Sequence, residues 1–493
     1  MPDEASGLQD GMERGALLAR LAAAEPRQAR PVVAILGGGL SGAATAFHLA
    51  RAEPDAEIVV VEPRPTLGSG LAYSTEEPAH RINVPAARMA LFGDNLTHFV
   101  AWLAAERIAM SPGTLTLRGD FFPERRLFGR YVAAQLQPFL ASGAVQHRQA
   151  GASAVTPANG AYRIALSDGS MLVADLVVLA MTHPSPALPA ALRDLANSQR
   201  VIADPYDNDR IAAIDRAARI LIVGTGLTSA DIVASLVRQG FRGQVAALSR
   251  HGLRSRGHGL AAAKSTVDFG DAPERTAVGL LRRIRAAVAA DAARGQSWHA
   301  VLDRVREQGC TIWAALDPAE RGRLVRHLRR FWDVHRFRIA PQVEAVLDEQ
   351  IAARRMRVVA GRIVAAREEE AGLRVVYRPR GANDTVTEMF DAAVVTTGPD
   401  HGDVLRSNPV FKSLAEAGLL CRDPLGLGIA VADECHAIEA DGGVSSSLHV
   451  VGPLARGCVG ELMGVPEVIR HAEHVAAELN RRLAKIAALG MPA

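Results

Sequence analysis

Val32-Val33-Ala34-Ile35-Leu36-Gly37-Gly38-Gly39-Leu40-Ser41-Gly42 runs from five apolar residues into a G-x-G-x-x-G turn. An apolar run this short that ends at glycine reads as a buried parallel strand, not a buried helix. Gly37 permits the tight turn, Gly39 lets the backbone approach a pyrophosphate, and Gly42 lets the next helix pack close to the strand. Leu40 and Ser41 open that helix, whose N-terminal N–H groups and partial positive charge suit an anion. The helix continues from Ala43 to Arg51, and Ile58-Val59-Val60-Val61-Glu62 is the next strand. Glu62 follows Gly42 by about 20 residues, at the strand end where a carboxylate receives ribose hydroxyls. Together these elements spell a dinucleotide-binding βαβ unit.

The pattern returns about 190 residues later. Ile220-Leu221-Ile222-Val223 leads into Gly224-Thr225-Gly226-Leu227-Thr228-Ser229, then a helix to Arg238 and a strand Val245-Ala246-Ala247-Leu248. Ser229 replaces the third glycine and is still small enough for close packing. No acid closes this second strand. Ser249 and Arg250 stand there instead, a pair suited to a 2′-phosphate, which favours NADPH over NADH. The alternative is that Arg250 belongs to a solvated surface. Two dinucleotide sites suit a flavin that receives hydride from a nicotinamide.

The chain has 493 residues, 48% hydrophobic and 22% charged, which excludes a fibre and a wholly disordered chain. That length predicts two to four domains. The net charge of +3 gives no electrostatic reason to bind nucleic acid. Four cysteines, Cys310, Cys421, Cys435 and Cys458, show no C-x-x-C spacing. This argues against a disulfide scaffold, a structural zinc site and dithiol redox chemistry, and no metal site is expected. No secretory signal and no apolar run near the roughly 18 residues of a membrane span are visible, so a cytoplasmic protein is expected.

The expected organisation is α/β. It has two Rossmann-like dinucleotide-binding domains, the second inserted in the first, and a helical segment. Residues 1–30 are an N-terminal extension. Residues 31–205 begin the FAD-binding domain, 206–390 form the NADPH-binding domain with a helical insertion at about 270–355, and 391–493 complete the FAD-binding domain.

Several stretches resemble one family of two-dinucleotide-domain flavoproteins. They include Gly70-Leu71-Ala72-Tyr73, His80-Arg81-Ile82-Asn83-Val84-Pro85, Phe122-Pro123-Glu124-Arg125-Arg126, Thr397-Gly398-Pro399 and Gly452-Pro453-Leu454. Arg326 to Arg336 and Val465-Pro466-Glu467 belong with them. From Pro31 onward the chain resembles the FAD-NAD(P)-binding proteins, relatives of class B flavin monooxygenases and of amine and amino-acid N-hydroxylases. The resemblance implies that Asn83 and Met89 pass near the isoalloxazine; an Asx turn before Pro85 is the alternative for Asn83. It places Arg126 and Gly398 at the cofactors, and Gly452, Pro453 and the helix starting near Pro466 at the flavin end. Arg329, His335 and Arg336 are candidate catalytic residues with Asn83, because clustered arginines suit an anionic substrate; a solvated helical face is the alternative. Two departures stand out. Ala180-Met181-Thr182-His183 lacks the family's Ala-Thr-Gly glycine, and Gly460 stands before Glu461 where the family often has an aromatic.

The implied activity is an NADPH-dependent FAD monooxygenase. It would use dioxygen, through a flavin C4a-hydroperoxide, to hydroxylate a small polar molecule, with amine or amino-acid N-hydroxylation favoured. Hydroxylation of an anionic heterocycle such as urate, a flavin reductase without oxygen insertion, and a redox-sensing dinucleotide-binding protein are the alternatives. A homo-oligomer stays open; no nucleic-acid or membrane partner is expected.

Overall fold

The structure is a computed structural model and describes residues 30–116, 119–182, 184, 186–259, 264–399 and 404–489. The expected extension over residues 1–30 lies almost wholly outside the described residues, as does His183.

Two seven-stranded sheets organise the chain. The first is built from β1 (Val32–Leu36), β2 (Glu57–Val61), β3 (Val145–Arg148), β7 (Leu176–Leu179), β15 (Val431–Ala432), β16 (His436–Ile438) and β17 (Val444–Val450), in the order β15-β16-β17-β7-β1-β2-β3. From β17 to β3 the pairing is parallel. Every residue of β1 is buried, as a parallel strand covered on both faces demands. A small antiparallel sheet of β4 (Ala152–Ala158), β5 (Ala161–Leu166) and β6 (Met171–Ala174) precedes β7.

The second sheet comprises β8 (Val201–Ile202), β9 (Arg219–Val223), β10 (Gln244–Ser249), β11 (Met356–Glu369), β12 (Gly372–Pro379), β13 (Val386–Phe390) and β14 (Ala392–Val395). Its order is β13-β12-β11-β10-β9-β14-β8. Here the expected boundaries at 205 and 391 need correction. β8 and β14 pair with each other, and β14 pairs with β9, so both belong to the second lobe. The chain leaves and re-enters the first lobe side by side, where Pro186 bridges Pro399.

The helices used below are α1 (Leu40–Arg51), α2 (Arg125–Ala141), α3 (Leu227–Arg238), α4 (Ala277–Ala293), α5 (Trp298–Glu307), α6 (Gly309–Ala315), α7 (Pro318–His327), α8 (Arg329–Arg336), α9 (Pro341–Ala352) and α10 (Val465–Leu489). Helices α4 to α9 fill the segment expected to be helical. Val468, Ile469, Ala472, Val475, Ala476, Leu479 and Leu483 of α10 are buried at helical spacing, and α10 lies along α1. Thus the last helix seals the layer that β1 and α1 began.

Polar contacts join the two lobes. Arg125 of α2 pairs with Asp231 of α3 at 2.7 Å, and the His80 ring hydrogen-bonds Ser235 at 3.0 Å. Arg238 donates to Glu77 at 2.9 Å. All three α3 partners fall on one face, at spacings of three and four, so one helix surface of the second lobe reads against the first.

Candidate functional site

The two glycine turns occupy equivalent places at the C-terminal ends of parallel strands, where open α/β sheets bind ligands. Gly37 has φ +104°, and a Cβ there would lie 2.8 Å from the Ala180 carbonyl oxygen. The β7 end therefore presses on the turn, and only glycine fits. A Cβ on Gly42 would lie 1.9 Å from the Gly37 oxygen, the measure of how closely α1 meets β1. At Gly39 a Cβ would meet the Gly70 Cα at 3.5 Å, an ordinary contact, so that side of the turn is not crowded. No side chain caps α1. A bare helix N-terminus behind an uncrowded glycine turn fits a pyrophosphate. Glu62 is buried; it accepts from the Gly38 N–H at 2.8 Å and from the Arg64 backbone and guanidinium at 3.1 Å. The acid is thus held against the turn it was expected to serve.

The far wall of this turn comes from the C-terminal part of the chain. Gly452 approaches so closely that a Cβ would sit 2.2 Å from Ser41 Oγ. Its N–H donates to His471 Nδ1 at 3.0 Å, and His471 Nε2 meets the Glu434 carbonyl at 2.9 Å. The first bond requires a bare Nδ1, so the second requires Nε2–H, which fixes the neutral tautomer. Burial pushes the His471 ring down to about 4. Pro453 follows, and Pro466 stands in the first turn of α10.

In the second turn a Cβ on Gly224 would meet Thr396 Oγ1 at 2.4 Å, and one on Gly226 would meet nothing within 4 Å. Leu227 begins α3, which no side chain caps, and Thr228 follows in its first turn. Ser249 receives the Thr225 hydroxyl at 2.9 Å and the Gly252 N–H at 3.0 Å, which shapes the loop after β10. Arg250 is exposed and forms no ion pair among the described residues. His251 beside it is pushed down by burial and by the charges of Arg330, Arg380 and Arg250. Gly398, with φ +81°, stands in the return crossing beyond β14.

The remaining expected residues separate. Asn83 accepts from the Ala340 N–H at 3.2 Å, at the start of α9, and its carbonyl meets His258 at 3.0 Å. Met89 is buried in the large core with Ile82, Leu91 and Phe99. Arg126 is divided between Glu124 at 2.6 Å and Glu76 at 3.0 Å. Arg329 pairs with Asp333 at 3.5 Å, and His335 Nδ1–H donates to the Phe331 carbonyl at 2.7 Å; both line a cavity described below.

Arg336 needs correction as a catalytic candidate. It is buried and tied to Glu461 at 2.8 Å and Glu467 at 3.2 Å, so no free charge is left for a substrate. Arg306 joins it with 2.8 Å and 2.9 Å bonds to Glu467. Against the penalty of burial, Arg306 and Arg336 hold Glu467 below the usual carboxylate range. This four-membered ion cluster binds α5 and α8 to the start of α10, and it positions helices. Gly460 is explained as well. Its φ is +87° and a Cβ would lie 2.6 Å from Trp313, whose indole donates to the Gly457 carbonyl at 2.9 Å. An aromatic from α6 fills the space, so the chain carries glycine there.

A cavity of about 580 Å³ lies between the helical segment and the loop before α10, with mostly apolar walls. Sequence reasoning missed it, because its walls come from five helices and the first lobe. Among the described residues no cluster of His, Cys, Asp and Glu could hold a metal ion, and no helix is long and apolar enough to cross a membrane.

Residues 34–184 match the family described as FAD-NAD(P)-binding. No curated protein matches the sequence. Among solved structures, ornithine hydroxylase from Pseudomonas aeruginosa is similar with a TM-score of 0.63 and 17% identity, over 92% of this chain and 99% of that one. L-lysine 6-monooxygenase from Pseudomonas syringae follows with 0.61 and 16%, over 92% and 99%. Ornithine N-hydroxylase from Kutzneria sp. 744 has 0.59 and 16%, over 93% and 99%. At these identities the likeness establishes the fold, that of two-dinucleotide-domain flavoproteins.

Proposed function

From an FAD-NAD(P)-binding segment set in that fold, we propose that the chain is an NADPH-dependent FAD monooxygenase. One observation carries the reading: two uncapped helix N-termini, each behind a glycine turn at the end of its own parallel sheet, with a separate cavity beside the first lobe. Amine or amino-acid N-hydroxylation is the favoured form, supported by the shared fold of ornithine and lysine hydroxylases. The overall reaction is R–NH₂ + O₂ + NADPH + H⁺ → R–NHOH + H₂O + NADP⁺. All four cysteines are free thiols and none neighbours another in sequence, which suits a reducing cytoplasm and leaves no dithiol for disulfide reduction.

In this reading Gly37, Gly39, Leu40, Ser41 and Gly42 hold the FAD pyrophosphate and Glu62 its ribose hydroxyls. Gly452, Pro453 and the α10 start near Pro466 close over the flavin end, where a helix N-terminus stabilises negative charge. Gly224, Gly226, Leu227 and Thr228 hold the NADPH pyrophosphate, while Arg250 and Ser249 receive the 2′-phosphate. Bound FAD supplies hydride acceptance and dioxygen activation. The chain's own work is to position the two cofactors across the α3 seam and to keep water from the reacting end. Arg329 and His335 face the substrate cavity; Asn83, through Ala340, fixes the start of α9.

The test is to supply FAD-loaded protein with NADPH, dioxygen and a panel of amines, amino acids and urate. Hydroxylated product and released hydrogen peroxide are both measured. Hydroxylamine formed in proportion to NADPH supports the reading. Recovery of all NADPH electrons as peroxide with every compound rejects it in favour of a reductase.

A further inference from the structure

The cavity carries more information about its ligand than the dinucleotide turns do. Leu280 and Ile284 of α4, Val305 of α5 and Leu324 of α7 wall it. Trp298, Trp313 and Trp332 complete the lining, three of the chain's four tryptophans. The floor is the first-lobe segment Arg456 to Met463. That segment continues directly from Gly452, which abuts Ser41 at the FAD turn. Such a space suits an apolar body.

Its polar groups are unequal. Glu461 accepts from Arg336 at 2.9 Å and from the Trp332 indole at 3.3 Å. Asp333 is paired with Arg329. Both acids therefore have cationic or N–H partners. Arg456 differs. It is only 6% exposed, its Nε donates to the Leu427 carbonyl at 3.0 Å, and its Nη1 meets Met463 sulfur at 3.3 Å. Among the described residues its Nη2 has no hydrogen-bond partner, and no carboxylate forms an ion pair with it. Burial, with Arg329 nearby, outweighs the more distant charges of Asp333, Asp423 and Glu461 and pushes its guanidinium down to about 10. A buried guanidinium with an unused donor is costly unless an anion completes it.

We propose that the cavity binds a molecule with an apolar body and a carboxylate head, the carboxylate completing Arg456. This deepens the monooxygenase reading, on which the word substrate rests, by naming the substrate class. An amine head is disfavoured because both acids are engaged, whereas an apolar amino acid satisfies the rule through its carboxylate.

The test uses FAD-loaded full-length protein without NADPH, so that binding is read apart from turnover. Octanoate, methyl octanoate and octylamine are titrated against tryptophan fluorescence. Octanoate binds saturably, and the ester and amine bind about tenfold or more weakly, the scale of one charge-assisted hydrogen bond. Arg456→Met removes that preference while methyl octanoate binding stays unchanged. Should Arg456→Met fail to fold, Ile284→Trp, which fills the cavity from its half-buried wall, abolishes octanoate binding. Equal affinity for the three probes, no saturable binding, or a wild-type dimer that covers the cavity overturns the proposal. Saturable octanoate binding, with all NADPH electrons recovered as peroxide across the panel of amines, amino acids and urate, rejects the monooxygenase reading alone; hydroxylation of small amines without octanoate binding rejects the cavity assignment alone.

Discussion

Arg336 on α8 and Glu461 in the loop before α10 lie 2.8 Å apart, both buried, although 125 residues separate them. Removing one partner of a buried pair strands the other charge. Arg336→Met is therefore expected to cost about 3–5 kcal/mol of stability. Chemical denaturation checks this. A variant of unchanged midpoint would return Arg336 to the list of catalytic candidates.

A Cβ on Gly39 would make only an ordinary 3.5 Å contact with Gly70, so the fold tolerates a side chain there while a pyrophosphate does not. Gly39→Val is expected to be folded by circular dichroism and colourless after purification. A yellow Gly39→Val protein would move FAD elsewhere.

Arg250 forms no ion pair among the described residues. Arg250→Ala is expected to raise the NADPH KM by about tenfold or more, on the scale of a charge-assisted hydrogen bond, and to leave NADH unchanged. Steady-state kinetics with both nucleotides decide it. An equal rise for NADH would assign Arg250 to something other than the 2′-phosphate.

His471 gives a pH prediction. Its folded pKa of about 4 lies below the ordinary histidine value, so the unfolded chain binds the proton more readily. Stability is then full above about 6.5 and is lost as pH falls towards 4. Protonating Nδ1 also removes the acceptor for the Gly452 N–H, which holds the wall facing Ser41. FAD release on acidification is expected to steepen below about pH 5 and to be weaker in His471→Gln. Flavin fluorescence after desalting at each pH reads it, and identical profiles would detach His471 from the flavin wall.

Both glycine turns were readable in the sequence because the signal is local: strand, turn and helix follow within a dozen residues. The helical segment was readable for the same reason, through Trp298, Leu302, Val305 and Trp332 at helical spacing. Strand pairing is not local. Ala392 to Val395 is as apolar as Leu176 to Leu179, and nothing in either run tells which sheet accepts it, so the domain boundary was misplaced. Burial of charge is equally hidden. Arg250, Arg336 and Arg456 are the same residue type; only the packing makes one exposed, one doubly paired and one buried with its Nη2 unused among the described residues. The missing aromatic before Glu461 could not be explained without Trp313, which stands far upstream.

The paired crossing at Pro186 and Pro399 has an architectural consequence. A segment that starts and ends at one spot behaves as a cassette: its ends already meet, so a short turn could replace the whole second lobe without stretching the first. The same geometry leaves the backbone crossing between the two lobes at one place. The face of α3 that bears Asp231, Ser235 and Arg238 is then one latch that sets how the cassette is seated, and the cluster of Arg306, Arg336, Glu461 and Glu467 is another.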